Sequence, residues 1–230
     1  MSQINVIFFG APGAGKGTQA KKLSDKLNLP HIDTGNLIRK AIADKTELGI
    51  KAKQYVESGK LVPDELIIDL IKERLNILIG STSNGFILDG FPRTIAQADA
   101  LQKMLSDLSL SLHTVINISV PENVLIERLS SRRLCTNKNC GAIYNLITHK
   151  PKIDNKCNLC QSDLYQRKDD TEEASKERLK EYSTKTAPLE KYYRDLSLIT
   201  DIDGTKNEND VYNEIENKVI NVTKSVAHNG

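Results

Sequence analysis

No run of 18 or more apolar residues occurs in the sequence, so no transmembrane helix is expected. Net charge is nearly absent as well: 32 Lys and Arg against 30 Asp and Glu leave +2. That balance supplies no global field to hold nucleic acid or a membrane surface. The N-terminus lacks a basic start followed by a long apolar region, which is the pattern of a secretory signal. A cytoplasmic location is the expectation, and there the four Cys stay reduced unless they hold metal. Internal repeats and low-complexity tracts are missing too. Arg is scarce: nine of the 32 cationic residues are Arg. Lys serves wherever any cation will do, so each Arg is informative, because its rigid fork suits phosphate.

What is present is the composition of an ordinary globule, 39% hydrophobic and 27% charged over 230 residues. The length suggests one domain carrying insertions. Near its start stands Gly10-Ala11-Pro12-Gly13-Ala14-Gly15-Lys16-Gly17-Thr18. An apolar run, Ile4-Asn5-Val6-Ile7-Phe8-Phe9, precedes it and reads as a buried strand; a helix is predicted from Gln19 through Leu27. Strand, glycine turn, helix is the setting of a phosphate loop. Glycines let backbone N–H groups crowd around phosphate oxygens, and the helix adds its positive dipole end. Lys16 is placed for a β- or γ-phosphate, and Thr18 for a Mg²⁺-linked water. The general pattern has Ser or Thr directly after the Lys; here Gly17 intervenes.

Downstream, residues 29–32 read as a very short strand, with Asp33 or Thr34 capping a helix that starts near Gly35. Residues 40–62 read as helical, polar and peripheral. Pro63-Asp64-Glu65 looks like a helix start. A polar loop spans 80–85. Phe86-Ile87-Leu88 and residues 115–120 read as buried strands, each followed by a helix. One long helix passes through Arg178, Leu179, Tyr182 and Leu189, where Pro188 is placed to kink or split it. A last strand at 198–202 leads to an amphipathic helix through Val211, Ile215, Val219 and Val222, with fraying over 225–230.

Short apolar strands alternating with helices predict an α/β fold: a parallel sheet with helices on both faces. Ligands of such sheets bind outside the carboxyl ends of the strands. The Gly10 loop, Asp33-Thr34, Asp89 and Asp203-Gly204 would share that edge. Asp89, ending its strand beside a phosphate loop, suits Mg²⁺ through water; a turn or cap Asp is the plainer alternative.

All four Cys lie in Cys135-x4-Cys140-x16-Cys157-x2-Cys160, two close pairs that read as a Cys₄ zinc site. Free thiols or a disulfide are the alternatives, and His149 is either a substitute ligand or a surface residue. Four thiolates leave no open coordination position, so the metal would be structural. The insert is poor in apolar residues, so zinc would supply its missing stability.

Together these motifs are similar to those of the adenylate kinase family. The resemblance rests on Gly10-x-Pro12-Gly13-x-Gly15-Lys16-Gly17-Thr18, Thr34-Gly35-x-x-x-Arg39, Asp89-Gly90-Phe91-Pro92-Arg93, Arg128-x-x-x-Arg132-Arg133 and Arg167-Lys168-Asp169-Asp170. It runs from Ile4 to about Val211, and Lys16-Gly17-Thr18 is the family's own form of the loop. The resemblance implies a phosphate-loop fold on a five-stranded parallel sheet. It divides the chain into a core (1–32, 63–130 and 171–230), a monophosphate-binding flap (33–62) and a zinc-containing, bacterial-type lid (131–170). It implies the Mg²⁺-dependent reaction ATP + AMP ⇌ 2 ADP by in-line transfer, and a monomer.

By that resemblance, Gly13, Ala14, Gly15, Lys16, Gly17 and Thr18 hold ATP phosphates. Arg128, Arg132, Ile143, Tyr144 and Lys206 are further ATP contacts. Thr34, Gly35, Arg39, Lys60, Leu61, Val62, Gly90, Phe91, Pro92, Arg93 and Gln97 match the AMP site, and Arg167 and Arg178 reach the phosphates as the lid closes. Lys16, Arg93, Arg132, Arg167 and Arg178 are the catalytic set, Asp89 serves Mg²⁺, and Cys135, Cys140, Cys157 and Cys160 hold Zn²⁺. Asp169 and Asp170 either orient the closing Arg side chains or cap the hinge. Asn36 stands where many family members have Asp, and Ser131 where Gly is common. The rival readings are a UMP- or CMP-directed kinase and a zinc ribbon that binds nucleic acid through Arg132, Arg133, Lys138, Lys150, Lys152 and Lys156. Weak charge and a lack of stacking aromatics argue against the ribbon.

Overall fold

The structure is a computed structural model that describes residues 3–79, 84–137 and 139–228, without the side chains of residue 79 and residues 223–228. Residues 80–83 of the expected polar loop, Lys138 and residues 229–230 lie outside the described residues. Strand β1 (Ile4–Phe9) is followed by α1 (Lys16–Leu27), β2 (His31–Asp33), α2 (Thr34–Ala43), α3 (Glu47–Glu57) and α4 (Asp64–Ile79). Next come β3 (Gly85–Asp89), α5 (Ile95–Asp107), β4 (Thr114–Ser119) and α6 (Glu122–Ser130). Three short strands follow, β5 (Arg132–Cys135), β6 (Ile143–Asn145) and β7 (Leu164–Tyr165). The chain ends with α7 (Glu172–Glu181), α8 (Pro188–Asp195), β8 (Ile199–Asp203) and α9 (Glu208–His228).

The main sheet has five strands in the order β2-β3-β1-β4-β8, all parallel. β1 shows why both faces must be covered. Its side chains alternate, with Val6 and Phe8 in one core and Ile7 and Phe9 in the other. The first core packs under α1 and α9, with Leu23, Val211, Ile215 and Val219. The second packs under α4, α5 and α8, with Ile71, Leu75, Leu101 and Leu189. Each such side chain contributes roughly 1.5–3 kcal/mol on leaving water.

The structure departs from the sequence reading in local details. Helix α1 begins at Lys16, ahead of Gln19, because Gly15 takes the cap with a φ of 96° that side-chain-bearing residues avoid. Strand β2 lies at His31–Asp33, shifted from 29–32 because Ile32 and Asp33 pair with Leu88 and Asp89 of β3. The 40–62 segment is two helices. Lys45 turns left-handed at φ 53° between them, and Thr46 caps the second by accepting from Gly49 N–H. The long C-terminal helix is interrupted by a π turn at Tyr182–Thr186 and resumes at Pro188, which sits at a first-turn position where its missing N–H costs nothing. The backbone of α9 is helical to His228, past residue 225.

At the opposite edge from the phosphate loop, Asn5 N–H donates to His113 Nδ1 at 3.1 Å, while His113 N–H donates to Asn5 carbonyl at 3.0 Å. Burial holds the His113 pKa below its ordinary value, and a protonated Nδ1 would oppose the Asn5 N–H. Folding therefore favours neutral His113. Its contribution to stability is complete above pH about 6.5 and is lost as pH falls below that. Thermal melts between pH 7.5 and 5 should show a steeper loss in the wild type than in His113→Gln; parallel losses would contradict this role.

Candidate active site

The carboxyl ends of β1, β2 and β3 converge beside the phosphate loop. Lys16 opens α1, and its Nζ donates to the Ala11 carbonyl of its own loop at 2.9 Å. Burial lowers its pKa to about 8; Asp89 works against that shift, and Arg93, Arg178 and Arg132 add to it. Asp89 is 7% exposed. Burial pushes its carboxyl up, but His31, Lys16 and Arg93 outweigh that and hold it below the ordinary range. A Cβ at Gly17 would stand 3.3 Å from Asp89 Oδ2. The residue that breaks the general motif is thus one where the start of α1 comes close to the carboxylate.

Two cavities meet at this edge. One, about 70 Å³, is lined by Gly10, Pro12 and Lys16 on one side and by Glu181, Tyr182 and Thr186 on the other. The second, about 80 Å³, gathers Thr34, Gly35, Arg39, Lys60, Leu61, Val62, Gly90, Arg93, Gln97 and Arg178 from the predicted monophosphate site. Gly59, Leu61, Gly90, Arg93 and Arg178 line both. Thr34 is 2% exposed, and its Oγ1 has no hydrogen-bond partner among the described residues. A buried hydroxyl in that state marks a place for a ligand.

The guanidinium groups are crowded. Burial and then Arg167 bring the Arg39 pKa down to about 10. Burial likewise lowers Arg93, Arg167 and Arg178. Two carboxylates hold part of the cluster. Asp170, fully buried, accepts from Arg132 Nε at 2.8 Å, Arg132 Nη2 at 2.5 Å and Arg178 Nη1 at 2.9 Å. Asp169 lies 3.2 Å from Arg178 Nη1. Of the two roles open from sequence, orienting Arg side chains is the one the geometry shows. The cap of α7 belongs to Thr171, whose side chain accepts from Ala174 N–H.

Arg93 is clamped on three sides. Its N–H donates to Gln97 Oε1 at 2.7 Å, its carbonyl accepts from Thr186 Oγ1 at 2.9 Å, and its Nε donates to Gly90 carbonyl at 2.8 Å. Gln97 Nε2 in turn donates to Asp64 Oδ1 at 2.7 Å, and Thr94 to Asp64 Oδ2 at 2.9 Å. Sequence reading missed Asp64 and Thr186 in these roles. The only signal from Asp64 was an acidic residue in the first turn of a helix, and Thr186 gave none.

Other predicted residues lie outside the two cavities. Phe91 is 1% exposed and packs in the core, which leaves only its backbone for a ligand. Arg128 Nη2 donates to Gly204 carbonyl at 3.0 Å, two residues before Lys206, so these predicted ATP contacts are neighbours. The Lys206 ammonium is exposed and pairs with Glu214 at 2.8 Å. Ile143 is exposed on β6, whereas the Tyr144 ring is buried against the cysteines, with its hydroxyl accepting from Asn158 N–H at 2.7 Å.

Strands β6-β5-β7 form an antiparallel sheet that carries the cysteine cluster. The four Sγ atoms lie within 4.8 Å of one another, with Cys135 and Cys160 at 3.4 Å and Cys140 and Cys157 at 3.6 Å. A disulfide needs about 2.05 Å. Four sulfurs about 2.3 Å from a common ion fit these separations, so the donor set is compatible with zinc. The Tyr144 hydroxyl, 3.5 Å from Cys157 Sγ, holds that thiol below its ordinary pKa. His149 is outside the cluster and stacks on Tyr144 at 5.5 Å.

The family model described as adenylate kinase matches residues 8–198. The chain belongs to the adenylate kinase family. An adenylate kinase from Archaeoglobus fulgidus is 52% identical over 213 residues, covering 93% of this chain and 96% of its own. Adenylate kinases from Clostridium botulinum strain Langeland and Clostridium tetani are 48% and 47% identical over 214 residues, each covering 93% of this chain and 97% of its own. No helix among the described residues is long and apolar enough to cross a membrane.

Replacing Asp170 by Asn leaves Arg132 without its buried counter-charge and Arg178 with Asp169 alone. Breaking a buried pair costs about 3–5 kcal/mol, and chemical denaturation of Asp170→Asn should show a loss of that order. A loss within experimental error of zero would mean that the Arg pair is held elsewhere.

Proposed function

We propose that the chain transfers the γ-phosphoryl group of ATP to AMP, reversibly, to give two ADP. The observation that supports this most is the pair of adjoining cavities with Arg93 and Arg178 in the walls of both. Donor phosphates on the Lys16 side and an acceptor phosphate on the Arg39 side would then share two cations.

The acceptor oxygen of AMP is already anionic near neutral pH, so no general base is required. The difficulty is to bring two polyanions into line and to offset charge that spreads in the transition state. The phosphate loop, residues 13–18, supplies N–H donors and Lys16. Arg39 and Arg93 orient the acceptor, while Arg132, Arg167 and Arg178 close on the phosphates. Gln97 keeps one amide hydrogen and one lone pair beyond its bonds to Asp64 and Arg93, enough to read a base edge. Phe91, Ile143, Tyr144 and Lys206 contribute through their backbone. The ionised Asp89 beside Gly17, with Thr18, would hold Mg²⁺ through water. When bound with ATP, that ion would offset the charge of the phosphates.

In this reading residues 33–62 move as a monophosphate flap and 131–170 as a lid over a core of 1–32, 63–130 and 171–230. Closure of that lid keeps water from accepting the phosphoryl group. Zn²⁺ on Cys135, Cys140, Cys157 and Cys160 braces the lid. One chain lines both cavities, which supports a monomer as the working unit, with ATP, AMP and ADP as its partners.

Coupled assays of ADP formation from ATP and each nucleoside monophosphate test the proposal. AMP should be turned over best, and Lys16→Ala should lower kcat at least ~100-fold, the scale of losing one charged transition-state contact. Equal or better turnover of UMP, or near-normal turnover by Lys16→Ala, would overturn it. Chelation or Cys157→Ser should loosen residues 135–160 in hydrogen exchange and lower the melting temperature while the five-stranded sheet stays folded. Purified protein without zinc, melting unchanged by chelator, would remove the metal from the account.

A further inference from the structure

The ends of β2 and β3 carry a second group of metal-ligating side chains. His31 and Asp33 stand two apart on one strand and so share a face. Asp33 is the register partner of Asp89. One ligand atom from each of His31, Asp33 and Asp89 lies within 4.8 Å of the others. His31 Nε2 is 3.5 Å from Asp89 Oδ2, and it is buried without a hydrogen-bond partner among the described residues. Asp33 commits Oδ1 to the cap of α2, where it accepts from Asn36 N–H at 2.8 Å, and keeps Oδ2 for a ligand. Asp33 therefore places a carboxylate at the strand end, three residues before Asn36. There it adds to Asp89 and to an imidazole.

We propose that His31, Asp33 and Asp89 form a direct coordination site for a divalent transition cation, occupied before any nucleotide binds. The proposal deepens the reading that the nucleotide's metal sits at Asp89, and rests on it. Two ligands about 2.1 Å from one ion stand roughly 3–4 Å apart, so the His31–Asp89 separation needs little adjustment. An imidazole nitrogen with two carboxylates suits first-row transition ions, whereas Mg²⁺ prefers oxygen and keeps its waters. Lys16 and Arg93 also face Asp89 and oppose a cation, which limits the affinity. His31 therefore sets which metals the site accepts, and Asp33 supplies the second charge.

Mn²⁺ is the probe of choice, because its preference for oxygen keeps it off the cysteine cluster. The experiment is an electron paramagnetic resonance titration of Mn²⁺ into the full-length, zinc-replete, nucleotide-free protein, with pulsed detection of imidazole nitrogen. The wild type should bind one Mn²⁺ per chain with a nitrogen coupling. His31→Gln should abolish the coupling and weaken binding about 10-fold or more. Asp33→Asn, which preserves the helix cap, should weaken binding by a similar factor and keep the coupling. Melting curves show whether each variant is folded. Mn²⁺ binding that requires ATP, a nitrogen coupling that survives in His31→Gln, or wild-type affinity in both variants would overturn the site. ADP formation with Mg²⁺ is measured on the same wild-type protein. Activity without nucleotide-free Mn²⁺ binding removes only the direct site, whereas absence of activity removes the functional reading.

Discussion

Like charges resist being brought together in a partly desolvated space, and the catalytic edge of this chain is built against that resistance. Arg39, Arg93, Arg132, Arg167, Arg178 and Lys16 converge there, and burial lowers the pKa of most of them. Such a cluster persists only if the backbone fixes its members and carboxylates offset part of the charge. Asp170 does so for Arg132 and Arg178, Asp169 for Arg178, and Asp89 for Lys16. The carboxylates are fewer than the cations. The remaining positive charge is what a polyphosphate would complete.

That constraint accounts for the surroundings. The parallel sheet delivers β1, β2 and β3 to one edge, so residues far apart in sequence meet without long loops. Arg93 is held through both its backbone groups by Gln97 and Thr186, which come from different helical segments. Residues 57 and 61 also touch the chain at both ends of α7: Leu61 N–H donates to Glu181, its last residue, at 3.4 Å, and Lys168, just ahead of its first turn, pairs with Glu57 at 3.1 Å. The buried centre of the small sheet consists of Cys135, Tyr144 and Cys157, with few apolar residues around them.

Much of this was legible in the sequence because buried parallel strands are near-continuous apolar runs. Ile4–Phe9, Gly85–Asp89 and Thr114–Ser119 were readable from that pattern alone. The phosphate loop stood out as a motif, and six of the nine Arg (39, 93, 128, 132, 167 and 178) stood out because Arg is rare here and they match family positions. The strands of the lid were not, since two to four residues carry no periodicity and their register depends on the cysteine turns. The break at Lys45 turns on one left-handed residue, which a polar helical pattern conceals. Asp64 and Thr186 act across 33 and 93 residues, contacts that no local spacing encodes. The sequence offered Asp33 or Thr34 as a helix cap on the edge shared with Asp89; Asp33 is the cap, and what no spacing showed is that His31 joins Asp33 and Asp89.

The central claim is that two phosphate chains meet directly between Lys16 and Arg39, with no side chain carrying the phosphoryl group. The stereochemical course at phosphorus tests this most directly. With ATP made chiral at the γ-phosphorus by oxygen isotopes and AMP as acceptor, a single in-line displacement predicts inversion in the ADP formed. Retention would require two displacements through a phosphorylated residue, and would contradict the account.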